Sequence, residues 1–262
     1  MTISFCSLVS GSSGNCYLIS DGNEKLLIDV GLSGKQIQNR LKEFDVDPKS
    51  LTGILVSHEH GDHTCGVGVM SRRFDIPIYA NRGTWQGMEK KIGEIKEDNR
   101  RVFHTDQLFN IGDFIINPYT ISHDANEPVG FSFGNNGVKI SIATDLGFMN
   151  EGIIKNLENS DLVVLESNHD EEMVKIGPYP YSLKRRILSD VGHLSNENAG
   201  KSIVKLVDRN VKGVMLAHLS KENNFPELAV TTVEGVLKKN NIHPNKDVNI
   251  DIAHRDRVSK LY

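Results

Sequence analysis

The sequence predicts an α/β fold in which two β-sheets pack together and are flanked by helices. The first half strings short apolar runs between turn residues, with helical patterns interspersed. The second half reads as strand–helix units, because the runs 162–165 and 214–217 are each followed by helical spacing. Between the halves, Asn135-Asn136-Gly137 separates two apolar runs and marks a tight hairpin.

Composition sets the bounds. The chain has 262 residues, 38% apolar and 24% charged, with a formal net charge of −4. This is globular composition without a transmembrane-length apolar run, and it argues against a globally basic nucleic-acid binder while leaving room for a local basic path. Met1-Thr2-Ile3-Ser4-Phe5-Cys6 lacks the basic and apolar regions of a secretory signal. Cys6, Cys16 and Cys65 share no metal-type spacing, which fits a reducing cytoplasm without structural disulfides. No linker or low-complexity tract divides the chain, so one domain over 1–262 is expected.

In order, residues 3–20 read as strand, turn and strand, with Ser10-Gly11-Ser12-Ser13-Gly14-Asn15 as the turn. Such a turn can present N–H and hydroxyl donors to an anion, which makes Ser12, Ser13 and Asn15 candidates for binding a terminal phosphate. The run 25–28 ends at Asp29, and helical spacing at Ile37, Leu41 and Phe44 predicts a helix over 32–44. Ile54-Leu55-Val56 leads into His58-Glu59-His60-Gly61-Asp62-His63, followed by a short helix near 66–70. Cys65 reads as a small buried thiol. A strand at 76–80 and a helix at 84–95 precede a meander built from Val102-Phe103, Leu108-Phe109 and Phe114-Ile115-Ile116. Helices are expected at 151–157, 181–189, 196–209 and 227–240, and a last strand at 248–253.

The chemistry gathers at strand ends. The run His58 to His63 places four nitrogen and oxygen ligands suited to zinc, iron or manganese directly after a strand. Asp29, His123, Asp145 and His218 also follow apolar runs, and an aspartate after three aliphatics is costly to bury unpaired. Asp29 therefore reads as a helix cap or as a brace for a metal ligand.

The whole pattern resembles the metallo-β-lactamase superfamily, with Asp29, the His58–His63 cluster, His123, Asp145 and His218 as its successive motifs. The resemblance implies an αββα sandwich of two mixed sheets and two divalent metals per chain, Mn²⁺, Zn²⁺ or Fe. It implies His58, His60, His123 and Asp145 on one metal, and Asp62, His63, Asp145 and His218 on the other, with Asp145 bridging. A metal pair acidifies water and stabilises both oxygens of a displacement at phosphorus, and Asp62 is then placed to orient the nucleophile. Histidine at position 60, where oxygen-reducing relatives carry glutamate, favours hydrolysis. The segment after His218 is too short for the helical module of glyoxalase-type thioesterases, and the Asp145–His218 interval too short for a β-CASP insertion.

Val191-Gly192-His193-Leu194-Ser195-Asn196 is similar to the extra histidine loop of the phosphodiesterase branch, with Glu166 placed like its acidic partner. In that branch the pair protonates the leaving oxygen, a task suited to imidazole. The combination of 10–15, 122–125, 166–170, 192–196 and 217–220 resembles the YycJ/WalJ (VicX) group. That resemblance implies a 5′→3′ exonuclease on double-stranded DNA, tied to DNA metabolism and bacterial cell-wall signalling. Lys184-Arg185-Arg186 and Tyr179 are candidates for holding phosphates and stacking on a base. His169 follows the strand that carries Glu166 and is a candidate brace or substrate contact. The alternatives are an RNase, or a small-molecule hydrolase acting on a thioester, lactone or cyclic phosphodiester.

Overall fold

A computed structural model describes residues 3–262. The first sheet runs β1 (Ser4–Val9), β2 (Cys16–Ser20), β3 (Lys25–Ile28), β4 (Gly53–Leu55), β5 (Ile78–Ala80) and β6 (Arg100–Val102), in that spatial order. Its β1–β3 pairings are antiparallel and the remainder parallel. The second sheet contains the antiparallel β7 (Phe109–Ile111), β8 (Phe114–Thr120), β9 (Val129–Asn135) and β10 (Val138–Ala143). It continues in parallel through β11 (Leu162–Glu166), β12 (Gly213–Ala217) and β13 (Asn249–Ile252).

Period-two alternation makes this a layered structure. On β11, Val164 faces a core shared by both sheets, together with Phe5, Ile28, Leu55, Phe131 and Met215. Its neighbours Val163 and Leu165 point the other way, onto helices α5 (Glu151–Leu157), α8 (Asn196–Val207) and α9 (Pro226–Lys239) through Ile153, Leu206 and Val233. The first sheet does the same: Leu27 and Ile54 turn outward onto α1 (Gly34–Lys42), α3 (Val67–Phe74) and α4 (Arg82–Ile92). Each fully buried aliphatic or phenyl side chain contributes about 1.5–3 kcal/mol, so the double-sided strands fix the order helix, sheet, sheet, helix. The expected αββα sandwich is the observed fold.

Parallel strands put their C-terminal ends on one edge. The edge therefore collects the residues after β3, β4, β10, β11 and β12, as open α/β sheets do. Asn136 (φ 50°) and Gly137 (φ 80°) form the tight turn that sends β9 back as β10.

Three expectations are corrected. The segment around Val102 is not part of a meander with β7 and β8; β6 pairs in parallel with β5, Tyr79 opposite Arg101. Only Phe103 is buried there, and so short an apolar signal does not encode strand direction. Helix α6 (Glu171–Ile176) was not expected, although Asp170 caps it by accepting from the Met173 N–H at 2.9 Å and two glutamates fill its first turn. Cys65 is exposed, because it ends the four-residue helix α2 (Gly61–Thr64) facing outward.

Candidate metal centre

Three of the strand-end residues leave their strands in the left-handed region: Asp29 (φ 59°), Asp145 (φ 60°) and His218 (φ 56°). That conformation costs an L-residue about 1–2 kcal/mol, and it turns each side chain off the strand axis toward the common edge. Local contacts hold it there. For His218, the backbone N–H donates to Ser10 Oγ (2.9 Å) and the carbonyl accepts from Asn168 Nδ2 (2.8 Å). For Asp29, the backbone N–H donates to the Leu55 carbonyl at 2.8 Å.

Four histidines have their outer ring nitrogen held by the protein. His63 Nδ1 donates to Asp29 Oδ2 (2.8 Å), His218 Nδ1 to Glu166 Oε1 (2.6 Å) and His123 Nδ1 to the Gly192 carbonyl (3.3 Å). His58 Nδ1 lies 3.0 Å from Ser57 Oγ, which itself donates to Asp29 Oδ2 at 2.8 Å. An acceptor on the outer nitrogen leaves the inner Nε2 as a lone pair. Those inner nitrogens converge. His58 Nε2 is 3.1 Å from His60 Nδ1, which is 3.3 Å from His123 Nε2. His63 Nε2 and His218 Nε2 lie 3.5 and 3.6 Å from Asp62 Oδ2. Asp145 sits between the two groups, with Oδ2 3.3 Å from His63 Nε2 and Oδ1 3.9 Å from His123 Nε2.

Apposed lone pairs and carboxylates repel unless a proton or cation lies among them. Asp145 Oδ2 and His218 Nε2 are buried without a hydrogen-bond partner. Ligand atoms of His58, His60 and His123 lie within 4.8 Å of one another, as do those of Asp62, His63 and His218. Nitrogen and oxygen donors in sets of this kind fit divalent cations. The ionisable groups set a neutral side, at His58, against a side where carboxylates draw in positive charge as a proton or a cation. Burial and the neighbouring His63 hold His58 well below the usual imidazole range. Burial opposes ionisation of Asp145, but His218 and His63 prevail and keep it a carboxylate. Burial also opposes charging His218, yet Asp145, Asp62 and Glu166 lift it to about 10.

Glu166, the last residue of β11, is fully buried and accepts four hydrogen bonds. Its Oε1 takes His193 Nδ1 (2.9 Å) and His218 Nδ1 (2.6 Å); its Oε2 takes the Leu146 and Leu194 N–H groups, both at 3.0 Å. Burial would raise its pKa, but the two histidines hold it at about 2. With Nδ1 committed to Glu166, the His193 ring lines a central cavity of about 380 Å³. His60, Asp62, His123, Asp145 and His218 line the same cavity.

The remaining candidates divide. Ser12 reaches the cavity; Ser13 is exposed and does not line it. Asn15 is fully buried, its Oδ1 accepting from the Gly11 N–H (3.0 Å) and its Nδ2 3.1 Å from His63 Nε2. It shapes the turn and touches a histidine, so a direct phosphate contact is corrected here. Tyr179 and Arg186 line the cavity, and Arg186 is ion-paired with Asp124, the neighbour of His123. Lys184 and Arg185 instead line an adjoining cleft of about 740 Å³ that shares Tyr179. They sit on α7 (Tyr181–Ile187), where Arg185 lies 6.0 Å from the Tyr181 ring. His169 is buried behind the site, where its backbone bridges to Ser195. Burial lowers it to about 4, and it does not line the cavity, so it is no substrate contact. Sequence reasoning gave no role to Ser57, Asp124, Asn168 or Ser220, although the last three fall within the segments 122–125, 166–170 and 217–220.

Residues 24–218 match the family described as a beta-lactamase superfamily domain. The chain belongs to that superfamily. Like its relatives it is a metal-dependent hydrolase. It is 41% identical to the exodeoxyribonuclease YycJ of Bacillus anthracis, over 91% of this chain and 90% of that protein. It is 38% identical to the exodeoxyribonuclease WalJ of Streptococcus pneumoniae, over 97% of this chain and 95% of that one. The superfamily fold extends to Zn²⁺-bound PqqB from Methylobacterium extorquens, with a TM-score of 0.74 at 14% identity, covering 98% of this chain and 99% of that one. No described helix is long and apolar enough to cross a membrane.

Proposed function

We propose that this superfamily hydrolase is a two-metal phosphodiesterase, acting as a 5′→3′ exonuclease on double-stranded DNA, with 1–262 as one catalytic domain. The observation that carries the reading is the Glu166–His193 pair, joined at 2.9 Å beside the ligand cluster and opening on the same cavity. The names of the YycJ and WalJ relatives support the nuclease assignment.

In this reading His58, His60, His123 and Asp145 hold one divalent ion, and Asp62, His63, Asp145 and His218 the other. Bound Mn²⁺, Zn²⁺ or Fe supplies an acidified water and positive charge opposite the phosphoryl oxygens. The chain's own part is positioning and proton transfer. Asp62, partly exposed at the cavity wall, orients the attacking water. His193 delivers a proton from Nε2 to the departing 3′ oxygen while Glu166 holds Nδ1 and balances the imidazolium. Arg186 and Tyr179 meet the strand at the cavity, and Lys184 and Arg185 take phosphates farther along the adjoining cleft.

The test is digestion of end-labelled duplex DNA, duplex RNA and single strands by the metal-loaded protein. Stepwise release of label from 5′ ends of duplex DNA is expected. Preference for RNA, or cleavage of none of them alongside rapid thioester or lactone hydrolysis, would reject the reading.

A further inference from the structure

A second cavity, of about 340 Å³, shares Ser220 with the central one. That volume falls within the range of small-molecule sites, about 300–1,000 Å³. Ser220 lies two positions beyond His218, so a fully extended backbone would separate the two residues by at most ~7 Å. The walls bring two cations, Lys221 and Arg255, together with the Ser220 hydroxyl, while Ser10 and Asn224 spend their polar hydrogens on protein partners. Asp256 is the one carboxylate among the lining residues. Arg255 is anchored at one end, where Nη2 donates to the Leu219 carbonyl at 2.8 Å. Its Nε is buried without a partner. That Nε packs over Gly11, and the guanidinium carries further N–H donors, for which an anion is the best-suited partner. Phe225, 49% exposed, stands at the same wall just before α9, whose first turn has no side-chain cap. An exposed aromatic ring beside two cations is a combination that takes a base and a phosphate together.

We infer that this cavity binds the phosphorylated 5′-terminal nucleotide of the substrate strand, the phosphate held by Lys221 and Arg255 and the base against Phe225. The inference rests on the nuclease reading and deepens it. A terminal phosphomonoester carries more charge and one more free oxygen than an internal diester. A two-cation pocket next to the metal ligands therefore distinguishes an end from the interior of a strand.

The experiment measures kcat/KM of the metal-loaded full chain, at fixed ionic strength, on one duplex bearing either a 5′ phosphate or a 5′ hydroxyl. Each protein serves as its own control, because damage to the metal centre affects both substrates. The native chain should favour the phosphorylated end by roughly tenfold, the scale of one charge-assisted contact. Lys221→Ala and Arg255→Gln should each cut that ratio to about a third or less on the same scale. No preference in the native chain, or a ratio unmoved by both substitutions, overturns the assignment. If Arg255→Gln fails to fold, Lys221→Ala, on an exposed side chain, decides alone. If neither duplex is cleaved while bis-p-nitrophenyl phosphate is hydrolysed, the nuclease reading fails separately. The pocket is then judged by calorimetric binding of thymidine 5′-monophosphate: weakening by the substitutions supports it, and indifference to them overturns it.

Discussion

The first sheet delivers His58, His60, Asp62 and His63 from one stretch after β4 that ends in α2, whereas the second delivers His123, Asp145, Glu166, His193 and His218 from separate segments. The two contributions are also braced differently. Asp29 supports the first through Ser57 and His63, accepting from the Ser57 N–H and Oγ–H at 2.8 Å each. Glu166 supports the second, but it holds a proposed ligand, His218, and a proposed proton donor, His193, on one oxygen. The contrast separates two tasks. The first sheet supplies a compact ligand set with its own brace, and the second couples ligand placement to the chemistry performed on the leaving group.

The two contributions meet at Asp145, which lies between both ligand groups. Asp145→Ala should lower turnover by at least about a thousandfold, and elemental analysis should find metal content reduced. Prolonged chelation should do the same to the native protein, with activity returning on addition of Mn²⁺ or Zn²⁺. Next comes Glu166. All four of its hydrogen bonds come from donors, so an amide nitrogen at either oxygen position would face N–H groups. Glu166→Gln is therefore not conservative. It should lower stability by about 2–5 kcal/mol in denaturant titration and reduce turnover by more than Asp29→Asn does. Asp29→Asn removes only the brace of the first sheet, and the expected result is metal affinity lowered about 10–100-fold with turnover largely recovered at saturating metal. Lys184→Ala on the adjoining cleft should have the smallest effect, a severalfold rise in KM for duplex and a shallower salt dependence.

The same contrast governs how much could be read from the sequence. The His58–His63 loop announces itself because its ligands are contiguous, and Asn136-Gly137 fixes its hairpin through a turn that needs positive φ. Strand-end positions such as Asp145 and His218 were legible only as a recurring pattern of an apolar run followed by a ligand. What was hidden depends on where side chains point. Asn15 and Ser13 look alike as turn residues, yet the turn buries one and exposes the other. Cys65 follows the cluster closely, yet the short helix α2 rotates it into solvent. Strand β6 offers too little apolar sequence to encode a partner, and its sheet is decided by the pairing available on β5. The four donors around Glu166 come from β10, β12 and the His193 loop or their ends, so only the assembled edge displays them.

In the proposed mechanism His193 serves the leaving group and not the metals. The direct test compares metal content and hydrolysis by His193→Ala on two substrates, end-labelled duplex DNA and bis-p-nitrophenyl phosphate, whose nitrophenolate departs without a proton. The variant should keep its full metal content, lose duplex cleavage about 10²–10⁴-fold, and lose far less on the activated diester. Equal losses on both substrates, or undiminished duplex cleavage, would contradict that mechanism.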